Sequence, residues 1–149
     1  DITGSKYKET ENLSLKEIAK LIRADFKELK LKGYKLSVRC RDHIAIDMEV
    51  VAVPEGFRMF SDIGAEFTKK FPNRPTSIIS NSLYSDDYTK IVAEMKKIFD
   101  SYNYDYSDVM SDFFNVRYYG NPKLSYDLRS QLEKNEVAAS TTDLLGENF

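Results

Sequence analysis

Leu15, Ile18, Ile22, Phe26 and Leu29 recur at spacings of three and four, a single apolar stripe on a helical period. Ser14 stands three residues ahead of Glu17, so hydroxyl and carboxylate can cap each other's backbone amides at the start of that helix. Leu13 and Ile18 sit where a hydrophobic staple places them, and Gly33 offers a stop after Lys30-Leu31-Lys32. The period then drops to two. From Tyr34 to Arg41 apolar and polar residues alternate without a miss, which predicts a strand with one buried and one wet face. Ile44, Ile46, Met48 and Val50 alternate with Ala45, Asp47 and Glu49 in the same way, with Asp42-His43 between the two runs as a hairpin turn. Pro54-Glu55-Gly56 closes the second strand.

Farther on, Phe57, Phe60, Ile63, Phe67 and Phe71 are spaced for a helix despite Gly64, and Pro72 and Pro75 break it. Ser85-Asp86-Asp87 caps a second strong helix whose stripe is Tyr88, Ile91, Val92, Met95, Ile98, Phe99 and Tyr102. After Asn103 comes a polar, acidic loop, then a third strand over Phe113–Tyr119 ended by Gly120-Asn121-Pro122. A short helix covers Tyr126 to Lys134. The order α-β-β-(α)-α-β-(α) predicts an α+β fold, a small antiparallel sheet with helices packed on one face. Residues 1–135 are expected as a single domain and 136–149 as a flexible tail without a sustained period.

The 149 residues leave room for one domain with a core, and no apolar run approaches the ~20 residues of a membrane span. One cysteine, Cys40, and one histidine, His43, leave no disulfide framework and too few soft ligands for a structural zinc site. A free thiol and the polar opening DITGSKYKETENLS, which lacks a secretory apolar stretch, fit a reducing cytoplasm. Charge is unevenly spread: residues 1–52 hold 11 Lys/Arg against 9 Asp/Glu, and the remainder 11 against 15. The sequence implies no cofactor.

Three groups are candidates for chemistry. On the wet face of the first strand, Lys35, Ser37, Arg39 and Arg41 lie roughly 6.6 Å apart at a rise of about 3.3 Å per residue, a spacing that can meet successive phosphates. The competing reading pairs Arg39 and Arg41 with Asp47 and Glu49 across the hairpin. Cys40 and His43 form C-x-x-H, but the alternation turns Cys40 inward while His43 lies in the turn, so they do not converge as a catalytic pair. Asn103, Asp105 and Ser107 match the opening of a calcium loop, yet Asp108 occupies its glycine position and Phe114 the place of its bidentate glutamate.

The third group is the loop itself. From Asp100 to Phe114 it carries Asp100, Asp105, Asp108 and Asp112 without one basic residue, together with Tyr102, Tyr104 and Tyr106. Tyrosine gives large contact area with few rotors and a polar tip, so an acidic loop studded with it suits a basic protein surface. Asp100, Tyr104, Asp105, Tyr106, Asp108 and Asp112 are the candidate partner-binding residues; Lys35, Arg39 and Arg41 are the alternative, for nucleic acid.

Ala19-Lys20-Leu21-Ile22-Arg23, followed by Lys35-Leu36-Ser37-Val38-Arg39 and an alternating second strand, resembles one of the large polyvalent-protein-associated domains of phages and conjugative elements. Ser101 to Gly120 is similar to a segment of related plasmid and phage proteins, with Phe114-Asn115 where an aspartate is common. The resemblance implies a mobile-element accessory protein, encoded among anti-restriction and anti-CRISPR genes, that acts stoichiometrically on a host defence protein such as a CRISPR effector. It implies no characterised active site, so no catalytic residue is carried over.

Overall fold

The computed structural model describes residues 2–73, 81–108, 110–111, 115–141 and 143–146. In chain order the elements are β1 (Ile2–Thr3), α1 (Tyr7–Thr10), α2 (Leu15–Glu28), β2 (Lys35–Arg41), β3 (Ala45–Ala52), α3 (Asp62–Lys70), a 3-10 turn (Asn81–Leu83), α4 (Asp86–Ser101), β4 (Tyr104–Asp105), β5 (Lys123–Leu124) and α5 (Tyr126–Ala139). This is an α+β fold. Chain contacts divide it into two units, one of residues 1–53 with 92–124 and one of 54–91 with 125–149. Among the described residues no helix is long and apolar enough to cross a membrane.

In the first unit, α2 begins on the capping box read from the sequence: Ser14 Oγ accepts from Glu17 N, and the Glu17 carboxylate accepts from Ser14 N. Ile18, Ala19, Ile22 and Phe26 are buried along one side of it. The helix ends at Glu28, five residues before Gly33, because Lys30 already takes the left-handed conformation (φ 52°) that stops a helix.

β2 and β3 pair antiparallel, with Val38 opposite Met48 and Arg39 opposite Asp47. Ile46, Met48 and Val50 are fully buried and the intervening Asp47 and Glu49 are half-exposed, as the alternation requires. Asp42 and His43 both hold positive φ (52° and 59°), and Ile44 N donates to Arg41 O at 3.1 Å. Two successive left-handed residues are what a primed hairpin turn needs.

The sheet order is β2-β3-β5, and β5 joins β3 parallel, so the sheet is mixed rather than purely antiparallel. Residues 53–122 separate β3 from β5, a connection long enough for the crossover that parallel pairing needs. Of the third strand expected at Phe113–Tyr119, the described residues 115–119 make isolated bridges, Val116 with Asp105 and Tyr119 with Ala45; residues 112–114 lie outside the described residues. Gly120 is required where it stands. A Cβ there would meet Ile46 O at 2.2 Å and the Phe99 ring at 2.8 Å, so the chain passes directly over β3.

The second unit is built from α3, the 3-10 turn, the start of α4 and α5. The expected helix over the phenylalanines begins only at Asp62, with Ser61 Oγ accepting from Gly64 N at 3.0 Å. Its buried side is Gly64, Ala65, Glu66 and Thr68, while Ile63 is exposed. Gly64 explains the change of face: a Cβ would fall 1.8 Å from Leu83 O, so the helix lies with its backbone against the 3-10 turn. α5 continues past Lys134 to Ala139, and the Glu136 carboxylate accepts from Met59 N (2.8 Å) and Phe60 N (2.8 Å). Beyond it, buried Glu66 accepts from Leu144 N at 2.8 Å and from Leu145 N at 3.2 Å.

Candidate functional site

The acidic loop follows α4, and two polar side chains hold its shape. Asn103 is the first. Its Oδ1 accepts from Tyr104 N (2.9 Å), Arg117 N (3.1 Å) and Tyr118 N (3.2 Å), while its Nδ2 donates to Tyr118 O (3.0 Å). One amide thereby closes a loop of fifteen residues, doing the work that a strand ladder does elsewhere.

Arg117 is the second. Its guanidinium donates to Tyr102 O (2.8 Å), to Thr10 Oγ1 (3.1 Å), to Leu13 O (3.3 Å) and to Thr10 O. It also lies over the Tyr7 ring, 5.1 Å from the centroid. The N-terminal segment is thus tied to both ends of the loop. Asp25 adds a third tie, accepting from Lys6 Nζ at 3.0 Å and from Tyr102 Oη at 2.5 Å. Burial, then the Asp25 carboxylate, pushes the Tyr102 phenol well up and keeps it protonated as the donor.

On this frame stand the residues picked from sequence. Tyr104 and Asp105 form β4, paired antiparallel with β1 so that Asp105 lies opposite Ile2. The Tyr104 ring meets Tyr7 edge-on at 5.1 Å and stacks on Tyr106 at 5.3 Å. Tyr106 Oη is hydrogen-bonded to Thr3 Oγ1, and its backbone N donates to Asn115 O at 2.9 Å. Asp105 and Asp108 are exposed, and each accepts from the amide two residues on, Ser107 N at 2.9 Å and Met110 N at 3.0 Å. Those are Asx turns, in which the side chain fixes the bend. The Ser107 amide, and then its hydroxyl, hold the Asp105 carboxyl below its ordinary value, so it stays charged.

Asp100 stands apart from this group on the last turn of α4, in an ion pair with Lys96 at 3.0 Å. Asp112 lies outside the described residues. Around Asp105 and Asp108 the surface also carries large apolar groups: Ile2 is 67% exposed, Tyr106 38% and Met110 96%. The aspartates were legible as charge, and the neighbouring Ile2 was not, because it comes from the other end of the sequence. Asn103 carries the geometry rather than a metal: its oxygen is spent on three backbone amides, and Ser107 Oγ accepts from Asn115 N at 3.0 Å.

The alternative residues lie on β2, and Lys35, Arg39 and Arg41 are all exposed. Arg41 reaches diagonally to Asp47, with Nε 3.1 Å from Oδ2, and this carboxylate raises its pKa further. Half of the cross-strand charge ladder therefore exists, as an exposed ion pair on Arg41. Cys40 is exposed rather than turned into the core. β2 is the edge of its sheet, so Cys40 is exposed although its cross-strand partner Ile46 on β3 is fully buried. His43 serves the turn through its backbone. Among the described residues no group of three or more His, Cys, Asp or Glu side chains is arranged to hold a metal ion. Comparison with protein-family models, with curated proteins and with solved structures finds no match for this chain.

Proposed function

We propose that this chain acts stoichiometrically by binding another protein, with the acidic tyrosine loop around Tyr104, Asp105, Tyr106 and Asp108 as its contact surface. The observation that carries the reading is the setting of Asp105 and Asp108: two exposed carboxylates, fixed by their own Asx turns, among exposed Ile2, Tyr106 and Met110. Large exposed apolar groups beside fixed charge are the composition of an interface core with a polar rim. Preorganisation strengthens the case, since Asn103 and Arg117 have already met the ordering cost that a flexible loop would meet on binding.

A basic partner complements this charge, and the resemblance to mobile-element domains makes a host defence protein the partner of choice, an anti-CRISPR-like inhibition of a nucleic-acid-handling effector. Gel filtration of the chain mixed with a CRISPR effector ribonucleoprotein tests it. Co-elution is expected, and it should weaken by at least ~10-fold in Kd, about 1.4 kcal/mol, for Asp105→Asn with Asp108→Asn. Asparagine keeps the Asx turns and removes only the charge, so the loss reports electrostatics and not a collapsed loop. Absence of any complex, or unchanged affinity of the variant, overturns the reading.

A further inference from the structure

A cleft of about 500 Å³ opens where α2 ends and β2 begins, within the range of small-ligand sites. All its charged lining residues are cations: Arg23, Lys27, Lys30 and Lys32. Phe26, Leu31 and Leu36 supply an apolar floor, with Tyr34 at its side. Arg23 is partly engaged, donating to Val38 O. The three lysines have no ion-pair partner among the described residues. Cations at a helix C-terminus satisfy the macrodipole, but that explains one or two of them and not an apolar floor between them. Lys30 is placed at a conformational cost: at φ 52° it holds the left-handed position where glycine or asparagine is usual.

We propose that this cleft binds single-stranded nucleic acid, one nucleotide entering with its base on the Phe26–Leu31–Leu36 floor and its phosphates on Lys27, Lys30 and Lys32. The chemistry of the lining decides the class. A ligand must offer a flat apolar face and anionic charge within one short repeat, which every nucleotide does and a run of acidic residues alone does not. Lys35 and Arg39 are exposed on the other face of edge strand β2 and are not part of this cleft. A duplex would present phosphates alone and leave the apolar floor without a partner. The site differs from the acidic loop in residues and in charge, and either can fail without the other.

The test is fluorescence anisotropy of a labelled oligo-dT of about 20 nucleotides, titrated with the full chain at about 50 mM salt. Saturable binding is expected, with a log Kd–log salt slope of about 2 for three neutralised phosphates. Lys27→Glu with Lys30→Glu should weaken it at least ~30-fold, and Lys90→Glu with Lys134→Glu, an equal change of net charge elsewhere, less than ~3-fold. Leu31→Ser, which leaves every charge in place, should weaken it by about 3- to 10-fold. No binding at that salt, equal losses in the two double variants, or equal affinity for a duplex of the same length would each overturn the proposal.

Discussion

The β2–β3 hairpin and the loop from Asn103 to Tyr118 both bring distant chain segments side by side, by different physical means. In the hairpin the backbone pairs with itself over seven residues of β2, and side chains only choose which face is wet. In the loop the described pairing is the two-residue β1–β4 ladder and isolated bridges such as Asp105 with Val116, and Asn103 and Arg117 add side-chain closures to it. A ladder spreads its stability over many weak, replaceable contacts. A side-chain closure concentrates it in one or two residues whose loss leaves several backbone groups unpaired at once.

That contrast predicts a ranking of substitutions. Arg117→Met keeps the apolar stem and removes the hydrogen bonds to Tyr102, Thr10 and Leu13. Hydrogen bonds to charged groups are worth about 1.5–3 kcal/mol each and are not additive, so a loss of about 3 kcal/mol in urea unfolding is expected. Asn103→Ala orphans the amides of Tyr104, Arg117 and Tyr118 together and should cost about 2 kcal/mol, with faster hydrogen exchange at those amides and little change in β3. In the hairpin, His43→Val places a β-branched residue at φ 59°, at a cost of about 1 kcal/mol. The smallest effect is Arg41→Ser, which breaks the exposed Asp47 pair and should move stability by no more than about 0.5 kcal/mol. If Arg41→Ser proved as costly as Arg117→Met, the distinction between the two kinds of closure would be lost.

The same contrast explains what could be read from the sequence. The α2 capping box, the α2 stripe, the hairpin and its turn were legible because each rests on local periodicity or on neighbours within four residues. The phase of α3 was not, since Gly64 faces Leu83 and the helix buries its small residues instead of Ile63. Nor was the exposure of Cys40, which depends on where the sheet ends rather than on alternation along β2. The parallel addition of β5 hides for another reason: two residues carry no period. In the candidate site the aspartates and tyrosines were visible as composition. Arg117 looked like one residue of an aromatic strand, and only folding shows it reaching Thr10 and Leu13 across a hundred residues of chain.

The charge of Asp105 is also predicted to be insensitive to pH over the range in which proteins are usually handled. Asp105 is held below its ordinary value of 3.8, so its charge is lost only as pH falls through a value lower than that. Affinity that depends on this carboxylate should therefore stay flat from about pH 8 down to about pH 5, at constant salt.

The most direct test is a side-by-side titration of a CRISPR effector ribonucleoprotein with the wild-type chain, Asp105→Asn with Asp108→Asn, and Lys27→Glu with Lys30→Glu. The acidic, preformed loop predicts that the first variant loses at least ~10-fold in affinity while the second binds within ~3-fold of wild type. The reverse order, with the lysine variant impaired and the aspartate variant intact, would contradict the assignment of the loop as the contact surface.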